Sequence, residues 1–311
     1  MSAREVVRSA TAERAGAPTR QSLAAPQCWI YSSFADGAGG GNPAGVVIAP
    51  GPLEDEVAQA VAAVLSVPTT GFVAAPEAGA KSLDVRFFTP DCEIDACGHV
   101  TIAVAAALVD EGVWSWGDEV SVRARGGDFP IKLRDGATEM TQRLRLLGPA
   151  PLGWGVVGAA LGTVARHPAL PLALAGAGLR HLVVPLTGVG QLSALELDAG
   201  RVTTLARTAG VDTVCVWAPT ADPGRLRMRD LCAAIGALEE PASGTTAAAL
   251  ALYLAEHGQL SGPELVIEQG VEMGRPSRIE VTVDAPDTAT VRGRTRKLLS
   301  GPLELWDSDG S

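Results

Sequence analysis

Two short clusters carry the residue types from which an acid/base site can be built. The first reads Glu93-Ile94-Asp95-Ala96-Cys97-Gly98-His99 and runs into an alanine-rich stretch ending at Gly112. The second reads Glu239-Glu240-Pro241-Ala242-Ser243-Gly244-Thr245 and runs into another ending at Gly258. Glu, Gly and the terminal Gly recur at the same intervals, 146 residues apart, so the chain reads as two similar halves, with the cleft between them as a natural seat for a reaction. A carboxyl in such a cleft, short of water, has its pKa raised toward neutrality, where it can take a proton and give it back. Glu93 is the first candidate, against the plainer reading of a solvated loop acid. Cys97 sits at a helix start, where a thiolate is stabilised, although cysteine is equally at home as an inert buried thiol. Its counterpart is Ser243, far too weak an acid to be the second base of a two-thiol racemase.

Each alanine-rich stretch begins at a glycine followed by a small or polar residue, Gly98-His99 in one copy and Gly244-Thr245 in the other. The first turn of a helix offers unsatisfied backbone N–H groups and the positive end of its dipole. Two such starts facing each other would grip the carboxylate of a small molecule, and glycine would let that ligand approach the backbone closely. The plainer reading is that Thr245 and Thr246 only cap a helix; the shared spacing favours the grip.

The elements that must position these residues follow from periodicity. Cys28 to Tyr31 reads as a first strand. Gly37 to Gly41 resembles a phosphate loop but leads through Asn42-Pro43-Ala44-Gly45 into the apolar run Val46 to Ile48, not into a helix, so it reads as a loop between strands. Glu54 to Ser66 has helical periodicity closed by Pro68, and strands follow at Gly71 to Ala74 and Leu83 to Phe88. After the first repeat helix, Val120 to Arg125 and Arg143 to Leu147 alternate like strands. A Pro/Gly/Leu-rich stretch from about 148 to 178 interrupts the pattern and places the crossover between domains. The second half repeats the grammar, with strands at His181 to Leu186, Thr213 to Trp217 and Arg225 to Leu231. A short helix lies near Val202 to Thr208, the second repeat helix spans Thr245 to His257, and closing strands follow to Leu305. The expectation is an α+β fold of two pseudo-symmetric domains, residues 28–150 and 175–305. Each is a curved, mostly antiparallel sheet or open barrel around a central helix, and the last strands could return to the first domain. Residues 1–27 read as a disordered tail.

Composition narrows the function classes. A hydrophobic content of 47% with 19% charged residues fits a folded globular chain. A formal charge of −10 argues against nucleic acid as a partner. No apolar run reaches the roughly 18 residues needed to span a bilayer, and the N-terminus lacks a signal-peptide core, so a cytoplasmic protein without a membrane partner is expected. Five scattered cysteines and four single histidines announce neither a disulfide framework nor a metal site.

At these residues the chain resembles the PhzF-like family of phenazine biosynthesis, within the diaminopimelate-epimerase-like superfamily. The likeness rests on Gly41-Asn42-Pro43-Ala44-Gly45-Val46-Val47 and on Arg86-Phe87-Phe88-Thr89-Pro90 followed by Glu93 and Cys97-Gly98-His99. It continues in Arg229-Asp230-Leu231 through Gly236 to Glu239-Glu240-Pro241-Ala242-Ser243-Gly244-Thr245. The resemblance implies two related domains, a site between them, no cofactor and no metal, and a homodimer. It implies an isomerase, of the kind found in antibiotic pathways, that shifts a proton and a double bond on a small unsaturated carboxylate. Glu93 would be its acid/base, and Asn42, Gly98, His99, Ser243, Gly244 and Thr245 would hold the substrate. Glu240 would stand where the family has Asp. Three departures point to a different substrate from the phenazine precursor: Glu240 for Asp, Thr69 for a Glu common in the family's Ser-Glu-Thr stretch, and no histidine near Val122 or Arg123, where the resemblance leads one to expect one some two dozen residues beyond Gly98-His99. Two alternatives stay open: a Cys97-dependent epimerase or hydroxyproline-type dehydratase, and a binding protein that has kept the fold and lost the chemistry.

Overall fold

The computed structural model describes residues 25–305 apart from 78, 164, 177 and 261; the expected tail lies outside the described residues up to position 24. In chain order the first half contributes β1 (Gln27–Ser33), β2 (Asn42–Ala49), α1 (Asp55–Leu65), β3 (Thr70–Ala74), β4 (Ser82–Phe88), β5 (Glu93–Ile94), α2 (Gly98–Asp110), β6 (Glu119–Ala124), β7 (Gly127–Arg134) and β8 (Ala137–Arg143). The chain continues through β9 (Arg145–Pro149), α3 (Trp154–Leu161), β10 (Ala173–Gly176), β11 (Arg180–Pro185), α4 (Val189–Ser193), α5 (Ala199–Ala209), β12 (Thr213–Pro219) and β13 (Arg225–Leu231). It ends with α6 (Gly244–Glu256), β14 (Glu264–Gln269), β15 (Ser277–Ala285), β16 (Thr288–Gly293) and β17 (Thr295–Pro302).

The two repeat helices are the cores of the halves. A helix that is apolar all round is stable only when covered on every side, and from Val100 to Leu108 no residue of α2 is more than 5% exposed. Strands β1 to β4, β6 and β7 wrap it with Trp29, Tyr31, Val46, Phe87, Ile131 and Leu133. Around α6 the same is done by Val183, Trp217, Met228, Ile267, Ile279 and Val291. Alanine suits both helices because it is the best helix former and lets the sheet approach closely. Each buried Val, Ile or Leu adds about 1.5–3 kcal/mol, so burial outweighs any contribution from caps. Two outer helices are amphipathic: α1 covers one side of the first sheet through Ala58, Val61 and Ala62, and α5 covers the second through Val202 and Leu205; the apolar α3 joins α5 there through Val157 and Leu161 and leaves Val156 exposed.

The strands pair in one path. The first half runs β17-β1-β2-β3-β4-β6-β7-β8, with parallel contacts at β2/β3 and β4/β6 and antiparallel ones elsewhere. The second runs β9-β10-β11-β12-β13-β14-β15-β16, with parallel contacts at β11/β12 and β13/β14. The sequence of parallel and antiparallel contacts is the same in both. β8 and β16 join the halves through an antiparallel ladder from Thr138/Gly293 to Arg143/Thr288. Each half therefore takes its far edge strand from chain that has just left the other: β17 lies against β1, and β9, which the sequence places before the crossover, pairs with β10 in the second half. The interrupted stretch from 148 to 178 contains α3 and β10, structure that its glycines and prolines conceal. Among the described residues no helix is long and apolar enough to cross a membrane.

Candidate functional site

The starts of α2 and α6 are built alike. Cys97 and Ser243 are the N-cap residues, both extended, at φ −150° and −133°. A Cβ on Gly98 would come within 3.2 Å of Met140 Cε, and one on Gly244 within 3.2 Å of Val291 Cγ1 and 3.3 Å of Phe34 Cζ. Both glycines thus face protein at the β8/β16 seam, and their lack of a side chain serves that close packing before it serves a ligand.

The acids of the two copies also match, in a way that changes the reading of Glu93. Its carboxylate accepts from Arg86 Nε and Nη2 at 2.9 and 3.1 Å and from Arg125 Nη1 at 3.2 Å. Glu239 accepts from Arg229 Nε and Nη2 at 2.9 and 2.7 Å, with both side chains under 10% exposed. Bidentate pairs of this kind fix geometry; here they tie β4 and β13 to the segments entering α2 and α6. The expected free carboxyl at position 93 is instead a clamp, because a guanidinium seven residues upstream occupies both oxygens.

Glu240 is different. It is half-buried, no cation pairs with it among the described residues, and its backbone is pinned by Glu240 N donating to Asp230 O at 3.0 Å and by Gln269 Nε2 donating to Glu240 O at 2.7 Å. Burial, with the charge of Asp230 second, pushes its pKa up to about 8.

Cys97 lies in reach of that charge. Burial first, and Glu240 among the lesser causes, pushes the thiol up to about 12, while backbone N–H groups of Val100 and His99 and the Thr69 hydroxyl act the other way. Cys97 Sγ is 3.3 Å from His99 Nδ1. Burial drives His99 down to about 4, against a hydrogen bond that its ring donates to the Pro43 carbonyl. A neutral imidazole with its one N–H given to Pro43 has only an acceptor left, so the Cys97 proton points at His99. Thiol and imidazole are both held neutral. His99 O accepts from Ser33 Oγ at 2.6 Å, which ties the first turn of α2 to β1.

The other expected binding residues divide. Asn42 is fully buried and one N–H of its Nδ2 donates to Ala242 O at 2.9 Å, joining β2 to the start of α6; the other N–H is the donor it could offer a ligand, since Oδ1 only accepts. Ser243 N donates to Gln269 Oε1 at 3.0 Å, and Ser243 Oγ lies 2.9 Å from Thr246 Oγ1 and accepts weakly from Thr246 N at 3.4 Å. It is Ser243 that caps α6, not the threonines. Thr245 is half-buried. Thr69, Asp230, Thr246 and Gln269 join this region without having been singled out as site residues, although position 69 already stood out as a departure and Asp230 lay within a quoted motif. Among the described residues no three of His, Cys, Asp and Glu converge to hold a metal ion.

Comparison with known proteins agrees with this architecture. A family model described as phenazine biosynthesis-like protein matches residues 31–301. An uncharacterized isomerase of Deinococcus radiodurans is 34% identical over 286 residues, covering 87% of this chain and 92% of that one. The trans-2,3-dihydro-3-hydroxyanthranilate isomerase of Pseudomonas aeruginosa is 32% identical over 260 residues, covering 80% of this chain and 87% of its own length. The solved structure of a PhzF-family phenazine biosynthesis protein from Bacillus anthracis aligns with a TM-score of 0.78 at 21% identity, over 89% of this chain and 98% of that one, a likeness of fold.

Proposed function

The chain belongs to the phenazine biosynthesis-like protein family and is an isomerase, and from that premise we propose that it moves a proton and a carbon–carbon double bond along a small unsaturated carboxylate, with Glu240 as the acid/base. The observation that carries this reading is the Glu240 carboxyl itself: half-buried, without a cation, and raised to about 8. A group titrating near neutrality is the one that both removes a proton from carbon and returns it. The reaction balances without an oxidant or reductant. Glu240 carboxylate takes a proton from one carbon, the C–H electron pair enters the conjugated system, and the carboxylic acid, whose proton exchanges with solvent while it is held, gives a proton to a carbon at the far end.

The substrate carboxylate is held by N–H groups at the start of α2 (Gly98, with His99 N–H turned to Cys97) and of α6 (Gly244, Thr245), where positive dipole ends favour the charge that develops as the proton leaves. Thr69 leaves a hydroxyl where the resemblance leads one to expect a carboxylate, so Glu240 is the carboxyl that remains for the chemistry. A Cys97-dependent epimerase or dehydratase draws no support from a thiol pushed up to about 12, since only the thiolate is an effective base.

The test uses deuterium oxide and a panel of unsaturated cyclic carboxylates, beginning with the dihydro-hydroxyanthranilate for which the Pseudomonas relative is named. NMR should show isomerisation with deuterium entering carbon, and Glu240→Gln should reduce it by about 10²-fold or more while circular dichroism stays that of the parent. Retained exchange in that variant would remove Glu240 from the mechanism.

A further inference from the structure

Behind the start of α6 lie four polar residues, each no more than 1% exposed: His181 on β11, Thr213 on β12, Asp230 on β13 and Thr246 on α6. Thr246 Oγ1 donates to Asp230 Oδ2 at 2.6 Å and lies 2.9 Å from Ser243 Oγ. His181 Nδ1 is 2.7 Å from Thr213 Oγ1 and 3.4 Å from Thr246 Oγ1. Asp230 Oδ1 and His181 Nε2 have no hydrogen-bond partner, and leaving such groups unpaired in a protein interior is costly. Asp230 also forms an antiparallel bridge with Glu240. Directly opposed residues of such a bridge put their side chains on one face, about 4.5–5.5 Å apart at Cβ, where like charges oppose each other. The alternation that brings these two acids together turns Arg229 to the other face, where it is spent on Glu239.

We propose that Asp230 is a positioning residue for the reaction, acting through the two groups it faces: Glu240 by charge, and Ser243 by way of the Thr246 hydroxyl. The inference rests on the role given to Glu240 above. Thr246 has one hydroxyl proton and gives it to Asp230, so the Ser243 proton must turn inward to Thr246. Ser243 then meets a substrate only as an acceptor, which suits a substrate carrying an amine or hydroxyl donor beside its carboxylate. The other titratable groups around the two acids do not offset their repulsion: Cys97 and Cys232 are thiols raised by burial, Cys215 likewise, and His181 is kept neutral by burial.

Two variants separate charge from hydrogen bond. Asp230→Asn removes the charge and keeps an acceptor for Thr246, while Thr246→Val keeps the charge and cuts the link to Ser243. In protein labelled with ¹³C at glutamate carboxyls, the Glu240 signal is identified by its loss in Glu240→Gln. Its midpoint should fall from about 8 by about one unit or more in Asp230→Asn, and the acid limb of kcat should move with it. Thr246→Val should leave the midpoint in place and raise KM severalfold. A folded Asp230→Asn with an unmoved midpoint, or a Thr246→Val that moves it equally, overturns the proposal. If Asp230→Asn does not fold, the parent labelled at aspartate carboxyls decides: the Asp230 signal must shift through the interval in which Glu240 titrates, and a flat signal overturns the proposal. These titrations need no turnover, so they stand apart from the deuterium test of Glu240 itself.

Discussion

Whether a carboxylate can move protons depends on what occupies its oxygens, and Glu93 and Glu240 divide on that point. Glu93→Gln should loosen the entry to α2 while leaving carbon–deuterium exchange within about tenfold of the parent; Glu240→Gln should abolish exchange. Cys97→Ala should likewise cost less than about tenfold in kcat, because the thiol keeps its proton. Glu240 also predicts a stability slope. It is an acid whose folded-state pKa stands near 8 against an ordinary 4.5, so within that window the folded chain holds a proton that the unfolded chain has released. Unfolding free energy therefore falls as pH rises from about 5 to 8, and urea titrations at both ends should show the fall shrinking in Glu240→Gln. The residue types of the site were legible in the two repeats, but their division of labour was not. Spacing places an acid near a helix start; it does not say that Arg86 will reach over from the neighbouring strand to take up Glu93, or that Glu240 will face another acid.

The repeat helices were the most legible elements because an all-round apolar, alanine-rich run bounded by glycines has few other places to go. The ion-pair clamps at their entries make a graded prediction. Removing one partner of the Arg229–Glu239 pair, which is nearly dry, should cost about 3–5 kcal/mol. The same change at Arg86–Glu93, where the arginine is about a third exposed, should cost nearer 1 kcal/mol, with both read from urea midpoints. Gly244→Ala should cost a further 1–3 kcal/mol or so by crowding Val291 and Phe34, and Val291→Ala in the same chain should recover part of it. The hairpin of β7 and β8 escaped the periodicity reading although its turn was written in Asp135-Gly136, both at positive φ, the pairing that a tight two-residue turn requires. α3 and β10 escaped it because their glycines and prolines resemble a linker, and only contact with β9 and the outer core gives them shape.

At the scale of the molecule, the duplication reaches further than motif spacing could reveal, since strand order and direction repeat while the edge strands are exchanged. A chain ending after Arg294 would strip β1 of its partner β17. Hydrogen exchange should then accelerate through β1 and α2 before it does in α6. The exchange of edge strands has a mechanical meaning too. The backbone passes between the halves twice, out of β8 into β9 and out of β16 into β17, and both passages leave the same short ladder. Two tethers set side by side act like the spine of a book, and the bridge of Ala35 with Ser277 and the bond from Asn42 to Ala242 fasten the covers a second time, so the halves are held against sliding past one another. A substrate bound as proposed, between the starts of α2 and α6, would therefore be met each time by the same pages in the same register.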